Sequence, residues 1–190
     1  IHRNKILEKN QSKLITLPLN KASQNKKINE ILIFGQKEKC FDIISRSYYR
    51  APYYKDVIRV IEKIIMNDEI NLSSYLVNSI QLIKEFLRLK TNISLSVDFK
   101  NSNNLSGEEK IINICKSVNA DEYLNVLSGS NLYKKNNFMD NKIKLKFLDT
   151  KIKPYNQNIK NFVPYLSIVD LLMFLPKDLI KIHLNNFKIV

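Results

Sequence analysis

Four short groups of residues carry the side chains with which this 190-residue chain could do chemistry. At the start, Arg3-Asn4-Lys5 sets two cations around an amide. Arg and Lys can hold a phosphate or carboxylate, and Asn4 can orient it; a solvated basic turn would use the same residues. Ser128-Gly129-Ser130, with Tyr133 just beyond, follows the apolar run from Tyr123 to Leu127. A small, hydroxyl-rich turn at the carboxyl end of a strand is where open α/β sheets bind ligands, although a plain turn has the same composition. Pro154-Tyr155 and then Gln157 offer uncharged groups that fix a sugar or an amide by hydrogen bonding. Finally, the stretch Phe162 to Asp170 holds Ser167 as a binding hydroxyl and Asp170 as a candidate catalytic carboxylate. The competing reading makes Ser167 a helix cap and Asp170 a first-turn acid that complements the helix dipole.

Several other chemistries are excluded by the residues present. With glycine only at 35, 107 and 129, neither a phosphate-cradling P-loop nor a dinucleotide fingerprint can be written. The imidazoles are His2 and His183, and His183 near a helix end reads as solvated or dipole-complementing. Nothing local suggests a Ser-His-Asp triad. Cys40 and Cys115 lack metal-ligand spacing, so no metal and no cofactor is expected. Cys115 lies on an apolar helix face as a buried structural thiol, which points to a reducing, cytoplasmic compartment.

The elements that must position these groups follow from periodicity. Strands with one buried face are expected where apolar and polar residues alternate: Ile15-Leu17-Leu19, Ile93-Leu95-Val97 and Ile143-Leu145-Phe147. Ile31 to Phe34 and Tyr123 to Leu127 are more continuously apolar, as for strands covered on both faces, and Pro18 puts its strand at an edge or at its end. Helices are expected from about Lys37 to Arg50, stopped by Ala51-Pro52. Others run through Val57 to Ile65, through Leu72 to Leu87, and through Ile111 to Val118 behind a Ser106/Glu109 capping box. Ser167 begins a short helix, and Pro176 suits the first turn of the last one. The fold class is therefore α/β, a single layered domain of short strands alternating with amphipathic helices over residues 1–190.

Composition agrees: 44% hydrophobic and 26% charged residues describe a globular chain. No apolar run approaches the roughly 20 residues of a spanning helix; the strongest, Leu166 to Leu175, is interrupted by Asp170. The net charge of +13 invites a phosphate-rich partner, whether nucleic acid, nucleotide-linked sugar or membrane surface. The lysines are scattered, however, and arginine occurs only at 3, 46, 50, 59 and 88, which weighs against a nucleic-acid binder. A Lys-, Asn- and Ile-rich codon bias is the favoured account of the charge.

An ordered series of blocks resembles the WbqC-like protein family over essentially the whole chain. It runs Arg3-Asn4-Lys5-Ile6, Leu14 to Leu19, Ile28-Asn29-Glu30, then Tyr48-Tyr49 and Ala51-Pro52-Tyr53-Tyr54. Asn78-Ser79-Ile80, Ile114-Cys115-Lys116 with Ala120 and Tyr123 come next, followed by Tyr155, Gln157, Phe162, Pro164, Ser167, Ile168 and Asp170. Departures fall at Ser130, beside Gly129 where a glycine pair is common, and at Leu175, where Asn is frequent. The family's opening strand and Gln-Pro-aromatic motif are not in this sequence, so a chain opening at Ile1 is expected to be an N-terminally truncated member. The resemblance implies bacterial surface-polysaccharide (O-antigen) biosynthesis. It also implies a transferase on a nucleotide-linked sugar, with an acyl or aminoacyl donor as second substrate. Arg3, Asn4 and Lys5 would meet the phosphates, and Ser128, Gly129, Tyr133, Tyr155, Gln157 and Ser167 would hold the substrate. Asp170 would position a neighbour or accept a proton. A non-catalytic scaffold is the alternative, and it would not need Tyr155, Gln157 and Asp170 to converge.

Overall fold

A computed structural model describes residues 2–20, 23, 25–102 and 104–190. The chain divides into two compact units, one of Ile1–Thr91 with Ile152–His183, the other of Asn92–Lys151 with Leu184–Val190. Both mix helices with short strands, so the α/β class holds.

The first unit opens with an antiparallel hairpin of β1 (Arg3–Glu8) and β2 (Gln11–Thr16), in register from Arg3↔Thr16 to Glu8↔Gln11. Its two-residue turn puts Lys9 and Asn10 at φ 49° and 64°, the paired positive φ values whose twist matches the strands. Arg3-Asn4-Lys5 is thus strand, not turn. β2 stops before Pro18, and the chain resumes as β3 (Leu19–Asn20), antiparallel to β4 (Leu32–Ile33). Three helices follow: α1 (Glu38–Tyr48), α2 (Tyr54–Ile65) and α3 (Leu72–Phe86). α3 starts at Asn71, whose side chain accepts from the amides of Ser73 and Ser74, which satisfies two of the first-turn donors. After Lys151 the chain re-enters this unit through a long irregular segment and forms α6 (Ile168–Phe174) and most of α7 (Lys177–Leu184). Ile6 and Leu7 of the hairpin, Ile44 and Tyr48 of α1, Val57, Ile61 and Ile65 of α2, and Leu172 and Met173 of α6 share one core.

The second unit is built on a three-stranded sheet in the order β5-β6-β7. β5 (Glu122–Val126) runs parallel to β6 (Lys144–Thr150) through a crossover that contains α5 (Lys135–Asp140), and β7 (Phe187–Ile189) pairs antiparallel with β6. Parallel pairing demands such a crossover, because a tight turn cannot return the chain in the same direction. Together with α4 (Gly107–Ser117), the sheet encloses Cys115, Phe138, Ile143, Leu145 and Phe147.

Four expectations are corrected. Ile93 to Val97 is not a strand; it is irregular chain leading into a 3-10 turn at Ser96–Asp98. There the Asp98 carboxylate takes the amide of Leu95, a local side-chain bond of the kind that competes with a ladder. Ile31 to Phe34 and Tyr123 to Leu127 are not covered on both faces. Phe34 is largely exposed and Val126 is 52% exposed, because each sheet is small and solvated on one side. Ser106 does begin α4, but without a side-chain cap bond. Glu108, rather than Glu109, is engaged, accepting from Lys134 N at 2.6 Å and from Asn137.

Candidate functional site

The polar core of the first unit centres on Asp170 in the first turn of α6. The side chain is 0% exposed. Its Oδ1 accepts from the Tyr48 hydroxyl at 2.8 Å, and its Oδ2 accepts from the Tyr155 hydroxyl at 2.5 Å and from Gln157 Nε2 at 2.8 Å. Three donors around one buried carboxylate are what such a group requires in an apolar surround. The start of α6 adds its dipole. Ser167 caps the helix, accepting from Val169 N at 3.3 Å, and the Asp170 amide donates to the Ser167 carbonyl at 2.9 Å. The cap and the ligand-facing readings of Ser167 thus meet in a hydroxyl already used by the backbone.

Each partner of Asp170 is itself tied down. Tyr48, at the end of α1, also accepts from Leu7 N at 2.9 Å, linking the hairpin to the helix through one phenol. Gln157 uses its whole amide: Nε2 donates to Val163 O at 3.0 Å as well as to Asp170, while Oε1 accepts from Val163 N at 2.8 Å. A buried side chain thereby mimics a β-bridge to the segment before Pro164. Ser167 N then donates to Lys5 O at 2.7 Å, so the far end of that segment is fastened to β1.

Tyr155 is the half-buried member. Its ring packs edge-on against Phe162 and against His183, with centroids 5.2 and 5.6 Å away. Burial, and then the hydrogen bond and charge of Asp170, push its phenol far above the ordinary tyrosine range. The same influences, burial first, act on Tyr48. Both hydroxyls therefore stay protonated at neutral pH and donate to the carboxylate. His183 is pushed below its ordinary value by burial and by the charge of Lys153.

Of the residues singled out from the sequence, Tyr155, Gln157 and Asp170 meet directly. Arg3, Asn4 and Lys5 lie exposed on β1, and the Asn4 side chain accepts from the Lys5 amide at 2.8 Å. Ser128, Gly129 and Tyr133 belong to the second unit, where a 3-10 segment at Leu127–Leu132 follows β5. There Tyr133 packs with Tyr123 and Phe138, its hydroxyl 3.5 Å from that of Tyr123. Gly129 is buried, and a Cβ would come within 3.2 Å of Asn125 Nδ2. Tyr48 was not anticipated at the site, because its spacing with Phe41 and Ile44 marks it as core. The usable signal was its hydroxyl, since a fully buried tyrosine has to find a polar partner. The second unit also carries a groove of about 400 Å³ between α4 and α5, lined by Glu108, Asn113, Lys116 and Asn137 among others, that no motif announced. Among the described residues no group of three or more His, Cys, Asp or Glu could hold a metal ion, and no helix is long and apolar enough to cross a membrane.

Comparison with known proteins finds no match among curated proteins and none among solved structures. A sequence model of the WbqC-like protein family, however, matches residues 1–182, from the basic opening through the polar network to α7. The chain belongs to the WbqC-like protein family.

Proposed function

We propose that this chain is a transferase of bacterial surface-polysaccharide (O-antigen) biosynthesis that moves an acyl or aminoacyl group onto a nucleotide-linked sugar. Family membership supports the setting. The observation that carries the reading is the convergence of Asp170, Tyr155 and Gln157 in one network, an arrangement that a plain scaffold does not need. Asp170 is sealed from solvent and is a positioning residue here: it acts through Tyr155 and Gln157. Tyr155 is the group at the edge of the network. Its proton is committed to Asp170, so its lone pairs are left to accept from a substrate hydroxyl or amine and orient that group for attack.

Arg3 and Lys5 supply exposed cations for the phosphates, with Asn4 beside them. Ser128, Gly129 and Tyr133 are proposed as substrate contacts of the second unit, and Ser167 as one of the first. Two free thiols, Cys40 and Cys115, suit a cytoplasmic setting.

The test is a mass-spectrometric screen with nucleotide-linked sugars and acyl or aminoacyl donors, paired with glycan analysis in cells. A mass shift matching one transferred group is expected, and Tyr155→Phe, Gln157→Ala and Asp170→Ala should each abolish it. Modification that persists in both the Gln157→Ala and Asp170→Ala proteins would place the site elsewhere.

A further inference from the structure

Among the described residues seven non-glycine residues have positive φ, and six have a local reason for it. Lys9 and Asn10 make the hairpin turn. Arg88, Asn119 and Lys142 follow the ends of α3, α4 and α5, and Asn158 is of a type that tolerates the left-handed region. Tyr165, at φ 60°, has neither a cap nor a hairpin to make, and its side chain is 76% exposed. A bulky aromatic held left-handed, with its ring in water, is disfavoured twice over, in backbone and in solvation. Such a conformation persists only when its surroundings impose it.

The surroundings here do impose it. Val163 is gripped through both its N–H and its C=O by the Gln157 amide, which Asp170 anchors from the buried side. Ser167 is fastened to the Lys5 carbonyl and capped into α6. Between these two clamps Pro164 removes a further backbone freedom, and Tyr165 is what the loop displays. On the strand to which the loop is fastened, Lys5 and Arg3 are exposed, and neither forms an ion pair among the described residues.

We infer that Tyr165 is an aromatic platform on which the base of a nucleoside diphosphate stacks while Lys5 and Arg3 take its phosphates. The choice of a nucleotide rests on the transferase reading above; the display of the ring does not. The buried carboxylate gains a second task in this account, because it fixes the loop that presents the platform.

Calorimetric titration of the protein with uridine diphosphate and with inorganic pyrophosphate, which lacks a base, tests the inference. Wild-type protein should hold uridine diphosphate more tightly than pyrophosphate. Tyr165→Phe should keep that affinity. Tyr165→Gly should weaken uridine diphosphate by roughly fivefold or more, the range expected for a lost base stack, and leave pyrophosphate unchanged. Because glycine adopts φ 60° freely, its melting temperature should be no lower than that of wild type. Lys5→Ala should weaken both ligands. The inference is overturned if Tyr165→Gly binds uridine diphosphate like wild type, if it melts several degrees lower, or if wild type does not favour uridine diphosphate over pyrophosphate. Transfer activity that survives such a result leaves the enzyme reading standing. Tyr165-dependent binding in a protein that transfers nothing removes the enzyme and keeps the platform.

Discussion

Tyr48→Phe isolates the contribution of a single oxygen to the first unit. The ring of Tyr48 is buried at the junction of α1 with the hairpin and α6, and phenylalanine fills the same space, so packing against Phe174 is retained. What disappears is a hydroxyl with two buried duties: donation to Asp170 Oδ1 at 2.8 Å and acceptance from Leu7 N at 2.9 Å. Leaving the Leu7 amide without a partner costs about 1–3 kcal/mol, and losing one hydrogen bond to a carboxylate costs about 1.5–3 kcal/mol. Some relaxation offsets both, so we expect a loss of about 3 kcal/mol in the first unit. Tyr155→Phe should cost less, about 2 kcal/mol, since it removes one hydrogen bond to the carboxylate and leaves no backbone amide without a partner. Urea unfolding measures the difference, with native-state hydrogen exchange at the Leu7 amide as the local readout. The Leu7 amide should lose protection in Tyr48→Phe and not in Tyr155→Phe. A Tyr48→Phe protein within about 1 kcal/mol of wild type, with the Leu7 amide still protected, would refute the claim that this phenol joins hairpin to helix.

Two further outcomes are expected. Phe138 is 0% exposed, stacked 5.6 Å from Tyr123 and edge-on to Tyr133. Phe138→Ala should therefore destabilise the second unit by about 3–5 kcal/mol, seen as a lower urea midpoint for probes on β5 and β6. His183 has a lowered pKa in the fold. The unfolded chain thus binds its proton first, and the stability tied to neutral His183 is full above about pH 6.5 and is lost as pH falls through the folded value. Melting temperatures between pH 7 and pH 5 should fall less steeply in His183→Gln, while His2, lowered by burial and Arg3, remains as common background in both proteins.

Helices were legible in the sequence wherever a long apolar stripe recurred, as in α2 and α3, because periodicity over a dozen residues leaves little ambiguity. Short strands were less so. Ile93-Leu95-Val97 alternates as cleanly as Ile143-Leu145-Phe147, yet only the latter enters a ladder, with Leu145 and Phe147 opposite Tyr123 and Asn125 of β5. Alternation specifies a half-buried surface, not the partner that makes it a strand. The same distinction governs the site. Asp170 was visible as an acid inside an apolar run, and Tyr155 and Gln157 as hydrogen-bonding groups of one loop, but Tyr48 lies 122 positions before Asp170 and carries a core residue's spacing. Tyr165 was invisible for the opposite reason, since an exposed tyrosine in a loop attracts no notice until its φ is known.

A carboxylate that accepts three hydrogen bonds out of contact with solvent cannot meet a substrate, so its value must lie in what it holds still. It holds Tyr155, the half-buried member of the network. Through Gln157 it also holds Val163, and with it the loop bearing Tyr165. A rigid inner layer beneath displayed polar and aromatic groups is the arrangement that lets a loop keep a binding geometry. On this account Asp170 variants should fail by loosening the site rather than by removing a proton acceptor. Asp170→Asn, which keeps an oxygen for Tyr155 and Gln157 and gives up the one facing Tyr48, should then retain more transfer activity than Asp170→Ala. Equal and complete loss in the two folded proteins would instead make the carboxylate's charge the essential property.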